Sequence, residues 1–182
     1  MKLSLLKIAT LSALAISGSA FAADAVTVNG GTVHFTGELV NAACAVSTES
    51  ANQTVDLGQY RIARLEAAGD KTTPVPFQIK LVDCDPTVQA TAAVAFYGQA
   101  ETSNPNLLTV SAGSNATSAT NVGIEISDDT SKILGVSGSS FSTPKNLIAG
   151  DNTLQFSARY VATGKSTPGQ ANADATFVVK YE

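Results

Sequence analysis

Thr32-Val33-His34-Phe35-Thr36-Gly37-Glu38-Leu39 is the stretch on which the reading of this chain turns. In an extended strand, side chains two apart share a face. Val33, Phe35, Gly37 and Leu39 therefore make one face, and Thr32, His34, Thr36 and Glu38 the other. The opposite end of the chain mirrors it, with Ala175, Phe177, Val179 and Tyr181 alternating with Thr176, Val178 and Lys180. The alternation predicts β-strands over 26–39 and 173–181, although the residues between them already hold enough strands for a sandwich. The decisive question is whether the first strand pairs inside its own molecule or inside a neighbour.

Ahead of that stretch, Lys2 and Lys7 form a positive start, 8–16 a short apolar core, and Ala20-Phe21-Ala22 a small-x-small cleavage pattern. These are the parts of a secretory leader over 1–22, with the mature chain beginning at Ala23. The apolar core is shorter than the roughly 20 residues that span a bilayer. Removing the two leader lysines moves the formal charge from −4 to −6 over 160 residues, the size of one ordinary domain. That acidity tells against nucleic acid, which asks for a basic face, and against adsorption to anionic lipid.

Cys44 and Cys84 are the only cysteines, and in an exported chain they are expected to form a disulfide. A zinc site needs about four ligands, and His34 is the sole histidine. Closing a loop of 40 positions contributes about 4 kcal/mol on the chain-entropy model. A redox role lacks both a Cys-x-x-Cys pair and a basic neighbour to favour a thiolate.

The remaining sequence is a series of short strand-like runs, at 53–57, 77–81, 92–97, 107–110, 122–126, 133–136 and 154–161. The run at 92–97 is almost wholly apolar and reads as a buried central strand. Between the runs stand breakers such as Gly98, Asn104-Pro105, Asp128-Asp129, Gly150-Asp151-Asn152 and Thr167-Pro168-Gly169. Short strands at this spacing predict an all-β sandwich. Only 60–68 has helical character, enough for a single turn ended by Gly69.

Catalytic chemistry is hard to assemble from these residues. His34 sits on the polar face of its strand, and no Gly-x-Ser-x-Gly elbow or phosphate-cradling glycine loop is present. Asp83 and Asp85 flank Cys84 on one strand face. A solvated acidic edge is the ordinary reading of such a pair and a cation site the rarer one. A sugar-binding sandwich would usually present exposed aromatics, and the chain has no tryptophan.

Several stretches carry a resemblance: Thr27-Val28-Asn29-Gly30-Gly31-Thr32-Val33-His34-Phe35, Val40-Asn41-Ala42-Ala43-Cys44-Ala45-Val46, Leu81-Val82-Asp83-Cys84-Asp85, and Thr167-Pro168-Gly169 through Thr176-Phe177. In them the chain resembles the chaperone–usher pilin family of Gram-negative bacteria, and within it the major subunits of type 1 fimbriae. The family's tail signature is a glycine fourteen positions from the end and a penultimate tyrosine, matched here by Gly169 and Tyr181.

The resemblance implies an incomplete immunoglobulin-like β-sandwich missing its last strand, with a leader over 1–22, a donor-strand extension over 23–41 and the Ig-like domain over 42–182. Gly31, Val33, Phe35, Gly37 and Leu39 would be donated to a neighbouring subunit. The strand marked by Gly169, Phe177, Val179 and Tyr181 would border the groove that receives them and that a chaperone recognises. The implied partners are further copies of the chain, a periplasmic chaperone, an outer-membrane usher and minor pilus subunits, with no cofactor, no metal and no membrane insertion. The product would be a fimbrium on the cell surface. An arm folded into its own groove would instead give an inert monomer. The competing readings are a minor or adaptor subunit and, in a different class, a secreted sugar-binding sandwich.

Overall fold

The structure, a computed structural model, describes residues 25–114 and 116–182; the leader read over 1–22 lies outside the described residues. The chain divides into two units, Met1–Glu38 and Leu39–Glu182.

The larger unit is a sandwich of two antiparallel sheets. Its strands are β1 (Ala45–Val46), β2 (Val75–Cys84), β3 (Thr91–Gly98), β4 (Ala100–Glu101), β5 (Asn104–Thr109), β6 (Val122–Asp128), β7 (Ile133–Leu134), β8 (Lys145–Asn146), β9 (Gly150–Ala162) and β10 (Ala175–Tyr181). One sheet runs β1-β2-β9-β6-β5-β4 with β7 beside β6, and the other runs β10-β3-β8.

Period-two alternation builds the core. On β2, Ile79 and Leu81 are fully buried, whereas Gln78 is exposed and pairs across the sheet with Gln155 of β9. Phe77 faces Phe156 in the same register, and Ile124 and Ile126 of β6 face Tyr160 and Ala158. From the second sheet, Ala92, Val94 and Phe96 enter the same core. The Phe96 ring stands edge-on to Phe156 at 5.4 Å and to Phe77 at 6.1 Å, the geometry aromatic pairs favour. These three rings join the two layers. Ala93 and Ala95, on the other face of β3, are buried as well, in accord with the continuous apolar run at 92–97.

Among the described residues, two acidic side chains are buried with full compensation. Glu125 on β6 receives Lys71 Nζ at 3.0 Å and Arg159 Nε at 2.7 Å. Asp128, at the end of β6, accepts from the backbone N–H groups of Thr143 (2.8 Å), Lys132 (2.9 Å) and Thr130 (3.0 Å) and from the Thr130 hydroxyl. Burial pushes the Asp128 carboxyl up, but the Thr143, Thr130 and Lys132 hydrogen bonds outweigh it and hold its pKa below the ordinary 3.8, at about 2. A depressed carboxylate stabilises the fold above its unfolded pKa, and that stabilisation is lost as pH falls through the folded one. Asp128→Asn is therefore expected to cost about 1–3 kcal/mol at neutral pH. The gap from the wild type should close between pH 3.8 and about 2. Urea unfolding at a series of pH values measures it, and a pH-independent gap would refute the assignment.

The structure departs from the sequence expectations at identifiable places. The run at 53–57 is not a strand. Ser47 ends β1 by capping a short helix, Thr48–Ala51, through its side chain, and the chain turns off the ladder there. Beyond it the Gln53 side chain, rather than a backbone N–H, bonds the Gln78 carbonyl at 3.2 Å. Asn104-Pro105 does not break a strand but begins β5. Only Leu107, Leu108 and Thr109 of β5 pair with β6, so no ladder bond to β6 is asked of the proline, which has no N–H to give. Gly150-Asp151-Asn152 likewise lies at the start of β9. The turn is made just ahead of it, where the Asn152 side chain bonds both the N–H and the C=O of Ile148. The helical turn expected at 60–68 is a three-residue 3-10 helix, Ile62–Arg64. Gly69 follows it at φ +92°.

The described part of the smaller unit, 25–38, contains no strand, and neither do the next residues, 39–41. This corrects the strand expected over 26–39. A strand exists only with a partner for its backbone groups, and none is paired here; what remains is extended chain with one local bond, from Gly31 N–H to Asn29 Oδ1 at 3.1 Å.

Candidate functional site

The sandwich is open along one side. β3 is satisfied on both edges: β10 pairs with it from Ala175↔Gly98 to Tyr181↔Ala92. On its other edge Val136 O accepts from Gly98, while Gly138 and Ser142 donate to Phe96 O and Val94 O. β10 pairs with β3 alone, so its second edge has no ladder partner among the described residues. On the facing layer the edge is β1, only two residues long, and then the irregular chain that follows it. An unpaired edge over apolar side chains is a template for another strand.

The alternation of β10 aims Phe177, Val179 and Tyr181 inward and leaves Thr176, Val178 and Lys180 outside. The three inward residues are only half-buried, although they pack on the core, and so are Val46, Leu57 and Phe77 across the gap. A complete sandwich would cover this floor. Tyr181 closes one end, where its hydroxyl donates to the Cys44 carbonyl at 3.3 Å; burial pushes the Tyr181 phenol pKa up. Cys44 and Cys84 form a disulfide there, which ties the start of β1 to the end of β2.

A cavity of about 450 Å³ lies between the segments around Tyr60 and around Gly169, with Leu65, Val122 and Tyr160 among its apolar lining. The Tyr160 hydroxyl donates to Ala171 O at 2.9 Å, and its ring meets Tyr60 edge-on at 6.0 Å. Gly169 is placed apart from the other three tail residues: it lies at a bend before β10, not in the strand. A Cβ there would run into the backbone of Thr117, Ser118 and Ala119, with Thr117 O at 2.7 Å, so only glycine lets the chain pass this close. Backbone bonds from Ala119 N to Gln170 O and from Gln170 N to Thr117 O (both 2.8 Å) lock that crossing. Of the residues lining the cavity only Gly169 was read as a site residue; Thr167, Pro168 and the residues from Gln170 to Asn172 stood in the stretch that carries the resemblance but were given no role. Val122 and Tyr160 were visible in strand-like runs, but nothing local says that their runs flank an opening.

In the smaller unit, Val33 and Phe35 are 74% and 91% exposed, and Leu39, at the start of the larger one, is 102% exposed. Gly31 has φ +113° and no atom within 4 Å of the place a Cβ would occupy, and Gly37 is equally open. Asp83 and Asp85, the pair with a cation site as its rarer reading, are both exposed, and Asp85 is occupied by the Thr87 N–H and hydroxyl at 2.9 and 2.6 Å. Among the described residues no group of three His, Cys, Asp or Glu side chains could hold a metal.

The fimbrial protein family matches residues 33–182. The chain belongs to this family. It is 59% identical over 184 residues to the type-1 fimbrial protein, A chain, of Salmonella typhi, with 100% of both chains covered. It is 61% identical over 170 residues to the fimbrial subunit type 1 of Salmonella typhimurium, with 92% of each covered. Among solved structures, a chaperone–usher pilus described for the uncoiling of its rod superposes with a TM-score of 0.73 at 28% identity, covering 88% of this chain and 100% of that one. This fimbrial protein is thus a structural pilus subunit of surface fimbriae, built on an immunoglobulin-like sandwich.

Proposed function

We propose that this fimbrial protein is a major shaft subunit that polymerises by donor-strand exchange. Residues 23–41 of one copy enter the gap beside β10 of the next, and the domain over 42–182 receives the arm of the copy before it. The observation that carries the reading is the pairing of two incomplete parts in one chain. An arm with exposed Val33, Phe35 and Leu39 lacks a partner strand, and a sandwich with an unpaired edge at β10 lacks a strand. Strand addition satisfies both, with backbone bonds giving affinity and alternate side chains filling the floor. Gly31 and Gly37 fall in the donor series where a side chain would otherwise stand, which suits shallow points of the receiving floor.

A periplasmic chaperone would cover the same gap before assembly, because an open apolar edge left bare is an aggregation hazard. An outer-membrane usher and minor subunits would complete the route to the surface. The disulfide fits the same route through an oxidising compartment. Electron microscopy of cells producing the chain with its secretion partners tests the reading: long filaments are expected, and a soluble monomer as the sole product would overturn it.

A further inference from the structure

Ten asparagines occur in the chain, and only Asn29 is followed by glycine. Gly30 has no Cβ to keep its backbone nitrogen from the side-chain carbonyl carbon of Asn29, and no other atom lies within 4 Å of the Cβ position at Gly30 or Gly31. The Asn29 side chain is already folded back over the following backbone, since its Oδ1 accepts from Gly31 N–H at 3.1 Å. That N–H stands where negative charge develops on Oδ1 as a nucleophile adds to Cγ, the service an oxyanion hole performs. Gly31 supports the turn from a φ of +113°, which side chains rarely allow. All of 25–40 is exposed and unpaired, so no ladder holds Gly30 away from the attacking geometry.

We propose that Asn29–Gly30 is a site of spontaneous deamidation, a self-modification of the arm. The Gly30 nitrogen gives its proton to solvent base and attacks Asn29 Cγ. The bond from Cγ to the side-chain nitrogen breaks and ammonia leaves with a proton from water, closing a five-membered succinimide. Water then opens that ring at one carbonyl to give aspartate or at the other to give isoaspartate, whose main chain runs through the side-chain methylene. The sum is one water taken up and one ammonia released, with no oxidation or reduction.

Asn29 has the same parity as Gly31, Val33, Phe35, Gly37 and Leu39, so the product puts a carboxylate at the head of the arm's apolar face. On the donor-strand reading, which this consequence rests on, an unpaired charge there is costly to bury. A paired strand also holds Gly30 extended and away from Cγ. Unassembled subunits would therefore age chemically while assembled ones are protected.

The experiment follows the full secreted subunit, its filaments and a Gly30→Ala variant in mildly alkaline buffer. Peptide mass mapping reads the replacement of NH by O, and isoaspartate-specific methylation reads the rearranged product. Asn41, exposed and followed by alanine, is the internal control. Asn29 is expected to convert at least about tenfold faster than Asn41, and Gly30→Ala to slow it by about tenfold, since near-attack geometry governs such rates. Conversion no faster than at Asn41, or a rate unmoved by Gly30→Ala, would overturn the proposal. Fast conversion in the free subunit that is undiminished in filaments would uphold the modification site and tell against a paired arm at Asn29.

Discussion

A chain lacking residues 23–36 but retaining Cys44 is expected to yield no detergent-resistant ladder and no filaments. Val33 and Phe35 leave with the deletion, and each large apolar side chain fully buried contributes roughly 1.5–3 kcal/mol. The backbone bonds of the added strand leave with them. Because the domain keeps its own open edge at β10, the shortened chain should still receive an arm. Mixed with the intact subunit, it should stop filament growth and shorten the ladder seen in unboiled SDS gels. Phe35→Asp gives the same test with one substitution, combining lost burial with an unpaired carboxylate placed in an apolar site. Ladders of normal length from either variant would remove donation by this arm from consideration.

Cys44→Ser is expected to produce the second large effect, a loss of about 4 kcal/mol for a closed loop of this length. Total stability for a domain is only about 5–15 kcal/mol, so such a loss reaches abundance as well as melting. The local structure explains why so little else replaces the bridge. β1 pairs with β2 through just Ala45↔Val82 and Val46↔Leu81, too short a strand to hold independently. The Cys44 carbonyl is also the acceptor for the Tyr181 hydroxyl, so freeing Cys44 loosens the closed end of the groove. A fall in periplasmic level and in denaturant midpoint is the expected readout. Unchanged values for both would show that the bridge is dispensable.

Much of the architecture was legible where burial is local. Phe77, Ile79 and Leu81 alternate with polar neighbours and form half of β2, and the apolar run at 92–97 is β3, buried on both faces. Legibility failed where the outcome depends on a distant partner. Val55 and Leu57 alternate as a strand would, yet the edge of β2 they would join is taken by the Ser47 cap and the Gln53 side chain. Pro105 reads as a stop until one knows that pairing with β6 begins only at Leu107. For the site, Phe177, Val179 and Tyr181 were readable because one strand carries them, and Gly169 through the resemblance. The cavity around Tyr60, Leu65 and Val122 was not, because its walls come from segments far apart in sequence and meet only in the folded domain. The arm was readable as apolar on one face. Its unpaired state was not, because alternation reports what a segment can bury and not whether the burying partner is on the same chain.

The pairing of β10 with β3 also imposes an order in time. Tyr181, next to the last residue, lies opposite Ala92, and the carbonyl of Glu182 receives the N–H groups of Ala90 and Thr91. A chain made from its N-terminus onward therefore cannot finish its second sheet until β10 emerges, long after β3. Until then Val94 and Phe96 lack their neighbouring strand. Contacts this distant in sequence form slowly, and a product ending before β10 would lack the strand on which the sheet depends. The pairing works as a proofreading point: only a chain synthesised through β10 completes the second sheet.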